Sequence, residues 1–204
     1  MKKLLFITVV LLCTRFCLNA QEKGTFEGGL FIGYNSATVR VNTGTADLKT
    51  GTTIGASREY YFSDRWGLHF EVAYSPKGWS NGFLEDLDNS TTIITDYRLK
   101  YITIPVTFNL HFGKTKGWHF NFGPYIGFLT KAEVEKTELD VTDLMSSTDF
   151  GLALGIGYKF RLSEFTKLQL DYGTQTGFVN VFEVSAEPVY NSSSRFNISL
   201  LFDL

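Results

Sequence analysis

The sequence predicts an all-β fold: an eight-stranded antiparallel up-and-down transmembrane β-barrel with short periplasmic turns and long extracellular loops. Three observations predict it. First, the chain finishes on strict apolar alternation, with Phe196, Ile198, Leu200, Phe202 and Leu204 separated mostly by polar residues such as Arg195, Asn197, Ser199 and Asp203. Successive strand residues point to opposite faces, so this segment has one greasy and one polar face. A barrel's last strand has that character because it must close on the first and leave no edge in lipid. Second, the same period of two recurs in seven earlier segments. Third, the connections between segments alternate between short and long, as in barrels that keep their turns on the periplasmic side.

The chain begins with Lys2 and Lys3, the apolar run Leu4 to Leu12, and Leu18-Asn19-Ala20-Gln21. This is the charged, apolar and small-residue order of a secretory signal peptide. The run falls short of the ~20 residues a membrane helix needs. The expected division is a signal peptide over 1–20 and a barrel domain over 21–204, with cleavage after Ala20. Leu12 and Phe16, before the two cysteines, are too large for a lipoprotein signal. Cleavage removes Cys13 and Cys17, so the mature chain has no thiol or disulfide chemistry. It also removes Lys2, Lys3 and Arg15, which takes the formal charge from −2 to −5. A mildly acidic exported chain is a poor nucleic-acid binder. The outer-membrane lipid is the expected surrounding.

The expected strands cover 25–35, 52–62, 66–75, 98–112, 118–130, 149–161, 167–176 and 194–204. The alternation is clean in Leu68, Phe70, Val72 and Tyr74, in the stripe Ile102 to Phe112, and in Phe150 to Phe160. Between them lie three short turns, around Asp64, Thr115 and Glu164. The long stretches 36–51, 77–97, 131–148 and 177–193 are the expected extracellular loops and the surfaces for protein partners.

Alternation alone also fits a soluble barrel of lipocalin type. Residue size separates the two. The polar faces carry Gly29, Gly33, Gly123, Gly127, Gly151, Ala153, Gly155 and Gly157. A narrow eight-stranded lumen needs small residues beside its charged ones. A water-facing strand surface has no such need, and glycine there weakens it. Tyr60, Phe62, Trp66, Phe112, Trp118 and Phe160 flank the short turns like a periplasmic aromatic girdle. Arg58 falls on the apolar face of the second strand. Two accounts are open: it snorkels toward headgroups, or a bulge shifts the face. Pro105 and Pro124 lack an amide hydrogen and each imply a gap in the ladder or a bulge.

Several stretches carry a family likeness: Glu59-Tyr60-Tyr61-Phe62-Ser63, Tyr74-Ser75-Pro76-Lys77-Gly78, Leu99-Lys100-Tyr101-Ile102-Thr103-Ile104-Pro105, Gly123-Pro124-Tyr125-Ile126-Gly127, Asp149-Phe150-Gly151-Leu152, and Gly177-Phe178-Val179-Asn180-Val181. Their order and spacing resemble the PorT-like outer-membrane β-barrel family of Gram-negative bacteria across essentially the whole mature chain. The resemblance implies the barrel fold. It also implies a role accessory to protein secretion or cell-surface assembly, because the founding member is linked to secretion.

Symmetric hairpins about the short turns set an expected register. Glu59 faces His69, Ser57 faces Glu71, His111 faces His119, Arg161 faces Lys167 and Gly157 faces Asp171. The expected lumen network is Glu27, Glu59, His69, Glu71, His111, His119, Lys159, Arg161 and Asp171 in the lower lumen, with Arg195 and Asp149 near the outer mouth. Eight strands enclose just enough room for side chains, and buried charges persist when paired, so this set reads as a plug. The sharper reading is a metal site of His69, His111, His119 and Glu59, a zinc-like ligand set. A lipid-modifying enzyme would need a nucleophile and base near the lipid interface, and no lipid-facing Ser–His pair is evident. The expectation is therefore a non-enzymatic, cofactor-free barrel with a structural or interaction role. The alternative is a narrow channel for small solutes.

Overall fold

A computed structural model describes residues 23–41, 44–86, 91–184 and 187–204. The signal segment expected over 1–20 and parts of the expected loops, 42–43, 87–90 and 185–186, lie outside the described residues. Eight long strands form the wall: β1 (Phe26–Val41), β2 (Asp47–Tyr61), β3 (Trp66–Asp86), β4 (Thr91–Phe112), β5 (Trp118–Val134), β6 (Thr148–Arg161), β7 (Thr166–Asn180) and β8 (Tyr190–Asp203). Each pairs antiparallel with its chain neighbours. β8 returns onto β1 from Glu27↔Asp203 to Arg40↔Tyr190, so the sheet closes into a ring. Two further strands of two residues each, Gly44–Thr45 and Leu139–Asp140, lie against the ends of β1 and β5.

The hairpins have the expected register: Glu59↔His69, Ser57↔Glu71, His111↔His119, Gly157↔Asp171 and Arg161↔Lys167. Period-two patterning therefore places Leu30, Ile32, Ile54, Phe70, Phe122, Leu154, Ile198 and Leu200 outward and exposed. Ile32, Ile54, Tyr74, Ile102 and Phe128 are cross-strand neighbours and form an outward apolar row across β1 to β5. From that row down to the turn end the belt spans about 25 Å, the height of a barrel's lipid-facing band. At the turn end Phe62 meets Phe108 edge-on, and Phe112, Trp118, Tyr158 and Phe160 form a run of ring contacts.

Arg58 stays on the outer face. β2 pairs without a shift on both sides there, and the guanidinium lies 4.4 Å from the centre of the Phe26 ring. Of the two accounts, the bulge falls away. The prolines leave gaps without bulges. Pairing of β3 with β4 breaks between Phe70↔Val106 and Ala73↔Thr103, beside Pro105, with the register unchanged. Pairing of β4 with β5 breaks between Pro105↔Tyr125 and Phe108↔Phe122, beside Pro124.

The strands run further at the loop end than the sequence predicts. The stretches expected as loops, 36–51, 77–97, 131–148 and 177–193, are in large part strand. The long strands run on to Val41, Asp86, Val134 and Asn180 and begin again at Asp47, Thr91, Thr148 and Tyr190. The physical reason is that backbone pairing continues above the apolar belt, where the outward face is polar and the apolar alternation is lost.

Closure depends on small residues at the seam. A Cβ on Gly29 would stand 2.0 Å from the backbone oxygen of Leu200, which a side chain cannot relieve without parting β1 from β8. Gly29→Val is expected to cost more than the ~1–3 kcal/mol of ordinary overpacking, because backbone must move. Loss of the heat-modifiable, fast-migrating form on a gel checks it.

Candidate functional site

The lumen is filled in layers, and each layer follows from the inward residues of neighbouring strands. Nearest the turn end, the Lys159 ammonium donates to Glu27, to Glu59 Oε2 at 2.8 Å and to the Tyr61 hydroxyl at 2.8 Å. Lys167 donates to Glu27 Oε2 at 2.5 Å and to Asp203 at 2.6 Å. Glu59 Oε1 accepts from His111 Nε2 at 2.6 Å. Glu27 and Glu59 are each only 2% exposed. A carboxylate so buried persists only because cations and donors surround it. His119 is buried with its ring centre 6.0 Å from that of His111.

The middle layer is a two-pronged pair. Arg195 donates to both oxygens of Glu71, at 2.5 and 2.6 Å, the fork geometry in which guanidinium binds carboxylate best. His69 Nε2 lies 3.9 Å from Glu71 and its Nδ1 4.0 Å from Glu59. Asp171 accepts from Gln169 and Asn197, both at 3.1 Å. The space left between Glu71, Arg195, Asp171, Asn109, Asn121 and Gln175 is about 30 Å³. That is room for two or three waters, since each needs ~10–15 Å³.

Above it Lys77 donates to Asp149 Oδ2 at 2.8 Å, with the ammonium 4.6 Å from the Tyr125 ring centre. Tyr125 and Asn191 also donate to that carboxylate, at 2.9 and 3.2 Å. The loop end is sealed by an apolar cluster. Trp79 stacks on its cross-strand neighbour Tyr97 at 4.4 Å, and Phe182 meets Trp79 edge-on. Leu99, Val134, Met145 and Val181 pack with them. The segment carrying Met145 is tied down by Asp140, which accepts from the Thr142 amide at 2.9 Å and hydroxyl at 2.6 Å. Those bonds, the hydroxyl's first, hold the Asp140 carboxyl below its usual value. A depressed carboxyl supports the fold above its ordinary pKa and stops doing so as pH falls through the lowered value. The protection factor of the Thr142 amide, its exchange measured against the intrinsic rate at each pH, is therefore expected to fall over that acid range.

Residues 19–183 match the outer membrane protein beta-barrel domain family. The chain belongs to that family. Its strands therefore cross the outer membrane, with the turns periplasmic and the sealed end extracellular. No curated protein matches it. Among solved structures, OprG from Pseudomonas aeruginosa has a TM-score of 0.53 at 13% identity, over 91% of this chain and 98% of that one. Neisserial surface protein A has a TM-score of 0.51 at 18% identity, over 86% and 96%. The attachment invasion locus protein Ail of Yersinia pestis has a TM-score of 0.46 at 15% identity, over 89% and 100%. At such identities the likeness is one of fold.

Within this outer-membrane barrel most of the predicted lumen residues fall into two layers, and Asp149 joins Lys77 in the layer above them. Glu27, Glu59, His111, His119 and Lys159 share the lower one, and His69, Glu71 and Asp171 lie in or beside the middle one. Arg195, expected near the outer mouth, reaches Glu71 and joins the middle layer, because guanidinium and carboxylate lower each other's burial cost. Arg161 is half-buried beside Lys167 at the periplasmic rim. His111 Nε2 lies 2.6 Å and His69 Nδ1 4.0 Å from Glu59, and among the described residues no three His, Cys, Asp or Glu side chains are grouped so as to hold a metal ion. Tyr61, Lys77 and Lys167 were missed as network members. Lys77 continues the inward row Ala73 and Ser75, a signal hidden by placing the strand end at Ser75. The apolar seal was missed too, although Trp79, Tyr97, Met145 and Val181 are conspicuous within stretches read as polar loops.

Proposed function

We propose that the protein is a non-conducting, non-enzymatic outer-membrane barrel that works by interaction at its extracellular end. The reading rests on one observation above all: three charged layers and an apolar seal occupy the lumen, and the space left between Glu71, Arg195 and Asp171 is about 30 Å³. A hydrated solute has no path of that size. Exposed Leu144 and Val184 crown the sealed end. The likeness to PorT-like proteins supports a role accessory to secretion or cell-surface assembly. The mature chain is the barrel released from its signal peptide at Ala20.

Photo-crosslinking from positions 144 and 184 in intact cells tests this. A discrete protein adduct from either position is expected. Absence of protein adducts, together with solute uptake by proteoliposomes carrying the purified barrel, would overturn it.

A further inference from the structure

The wall is interrupted between β2 and β3. Pairing stops at Leu48↔Trp79, resumes at Ile54↔Tyr74, and shifts register between the two. In the gap, Pro76 has no amide hydrogen to give. Side chains take over the carbonyls there: Asn35 donates to Pro76, and Thr53 donates to Tyr74 at 2.6 Å. The interruption leaves a cleft of about 440 Å³, lined among others by Lys49, Arg98, Lys100, Glu135, Tyr74 and Pro76.

The height of this cleft gives it meaning. Ile54, Tyr74 and Ile102 end the apolar belt. Lys100 lies two residues above Ile102 and Arg98 four, or roughly 7 and 13 Å along the strand. That is the headgroup zone of the outer leaflet. Glu133 accepts from Lys100 at 3.0 Å, and Glu135 pairs with Arg98 and, at 2.9 Å, with Lys49. Lys49 also reaches Asp96 at 3.2 Å, and Lys131 pairs with Glu133. Asp140, the cross-strand neighbour of Glu133, also acts on Lys131, so four cations and four carboxylates meet along this edge. The Arg98 side chain is 49% exposed, free to turn from Glu135 toward a stronger anion.

We propose that this cleft binds the phosphorylated headgroup of an outer-leaflet lipid, with phosphate on Arg98 and Lys100 and the lipid's upper chain beside Tyr74. Guanidinium and ammonium bind phosphate by charge-assisted hydrogen bonds. The apolar row beneath selects an amphiphile over a free anion. The site is independent of the filled lumen and of any protein partner.

The test is native mass spectrometry of the mature chain refolded in uncharged maltoside micelles. The probes are diphosphorylated lipid A, the same lipid dephosphorylated, and inorganic phosphate. Retention of the phosphorylated lipid is expected to exceed the dephosphorylated form by about tenfold, and to fall about tenfold in Arg98→Gln/Lys100→Gln. Lys114→Gln, at the periplasmic turn, should retain it fully. Excess inorganic phosphate should displace little. Equal retention of both lipids, unchanged retention in a double variant that still shows heat-modifiable migration, or full displacement by inorganic phosphate would overturn the proposal. Should the double variant not refold, Lys100→Gln alone decides.

Discussion

Replacing Lys159 by methionine is expected to destabilise the barrel by about 3–5 kcal/mol. The ammonium serves Glu27, Glu59 and Tyr61 together. Its removal leaves two carboxylates facing each other inside the wall. Glu27 keeps Lys167 and Glu59 keeps His111, so the loss stops short of unfolding every layer. A urea titration of the folded fraction in lipid vesicles reads the effect. Lys159→Met combined with Glu27→Gln and Glu59→Gln should recover much of the loss, because neutral amides need no counter-charge. An unchanged midpoint for Lys159→Met alone would mean that these charges are hydrated rather than enclosed.

Trp79→Ala is expected to act at the other end of the lumen. The indole fills the extracellular seal between Tyr97 and Phe182. Removing it forfeits about 3–5 kcal/mol of packing. The loss should appear locally, since the seal stands above the membrane belt and the charged layers lie below it. Amide exchange over 135–147 and 181–184 should quicken by about two to four orders of magnitude. Amides at the β1–β8 seam, such as Leu30 and Ile32, should exchange as before. Faster exchange at both places would mean that seal and wall open as one unit.

These effects mark where the sequence is informative. The lipid-facing wall is written in local alternation: Ile102 to Phe112 and Phe196 to Leu204 each declare a face without reference to any other strand. Short turns then carry that information across the hairpin, which is why His111↔His119 and Glu59↔His69 follow from counting. Partners separated by several strands do not follow. Glu71 and Arg195 meet across the lumen, as do Lys77 and Asp149, through barrel curvature that no hairpin encodes. The extracellular extensions were hidden for a different reason. Above the apolar belt, outward residues such as Arg98 and Lys100 are polar, so a strand there loses the pattern that identifies it while keeping its ladder. The seal combines Trp79 and Tyr97 from two such extensions, those of β3 and β4, with Met145 and Val181 from two loops. Only the closed fold brings them together.

The central claim is that the lumen is shut, and single-channel recording tests it most directly. The purified mature barrel, inserted into a planar bilayer with its folded state verified by heat-modifiable migration, should show no unitary current above leak. Steady, reproducible single-channel steps from the unaltered protein would contradict the account, because the layers from Glu27 to Trp79 would then have to part to admit ions.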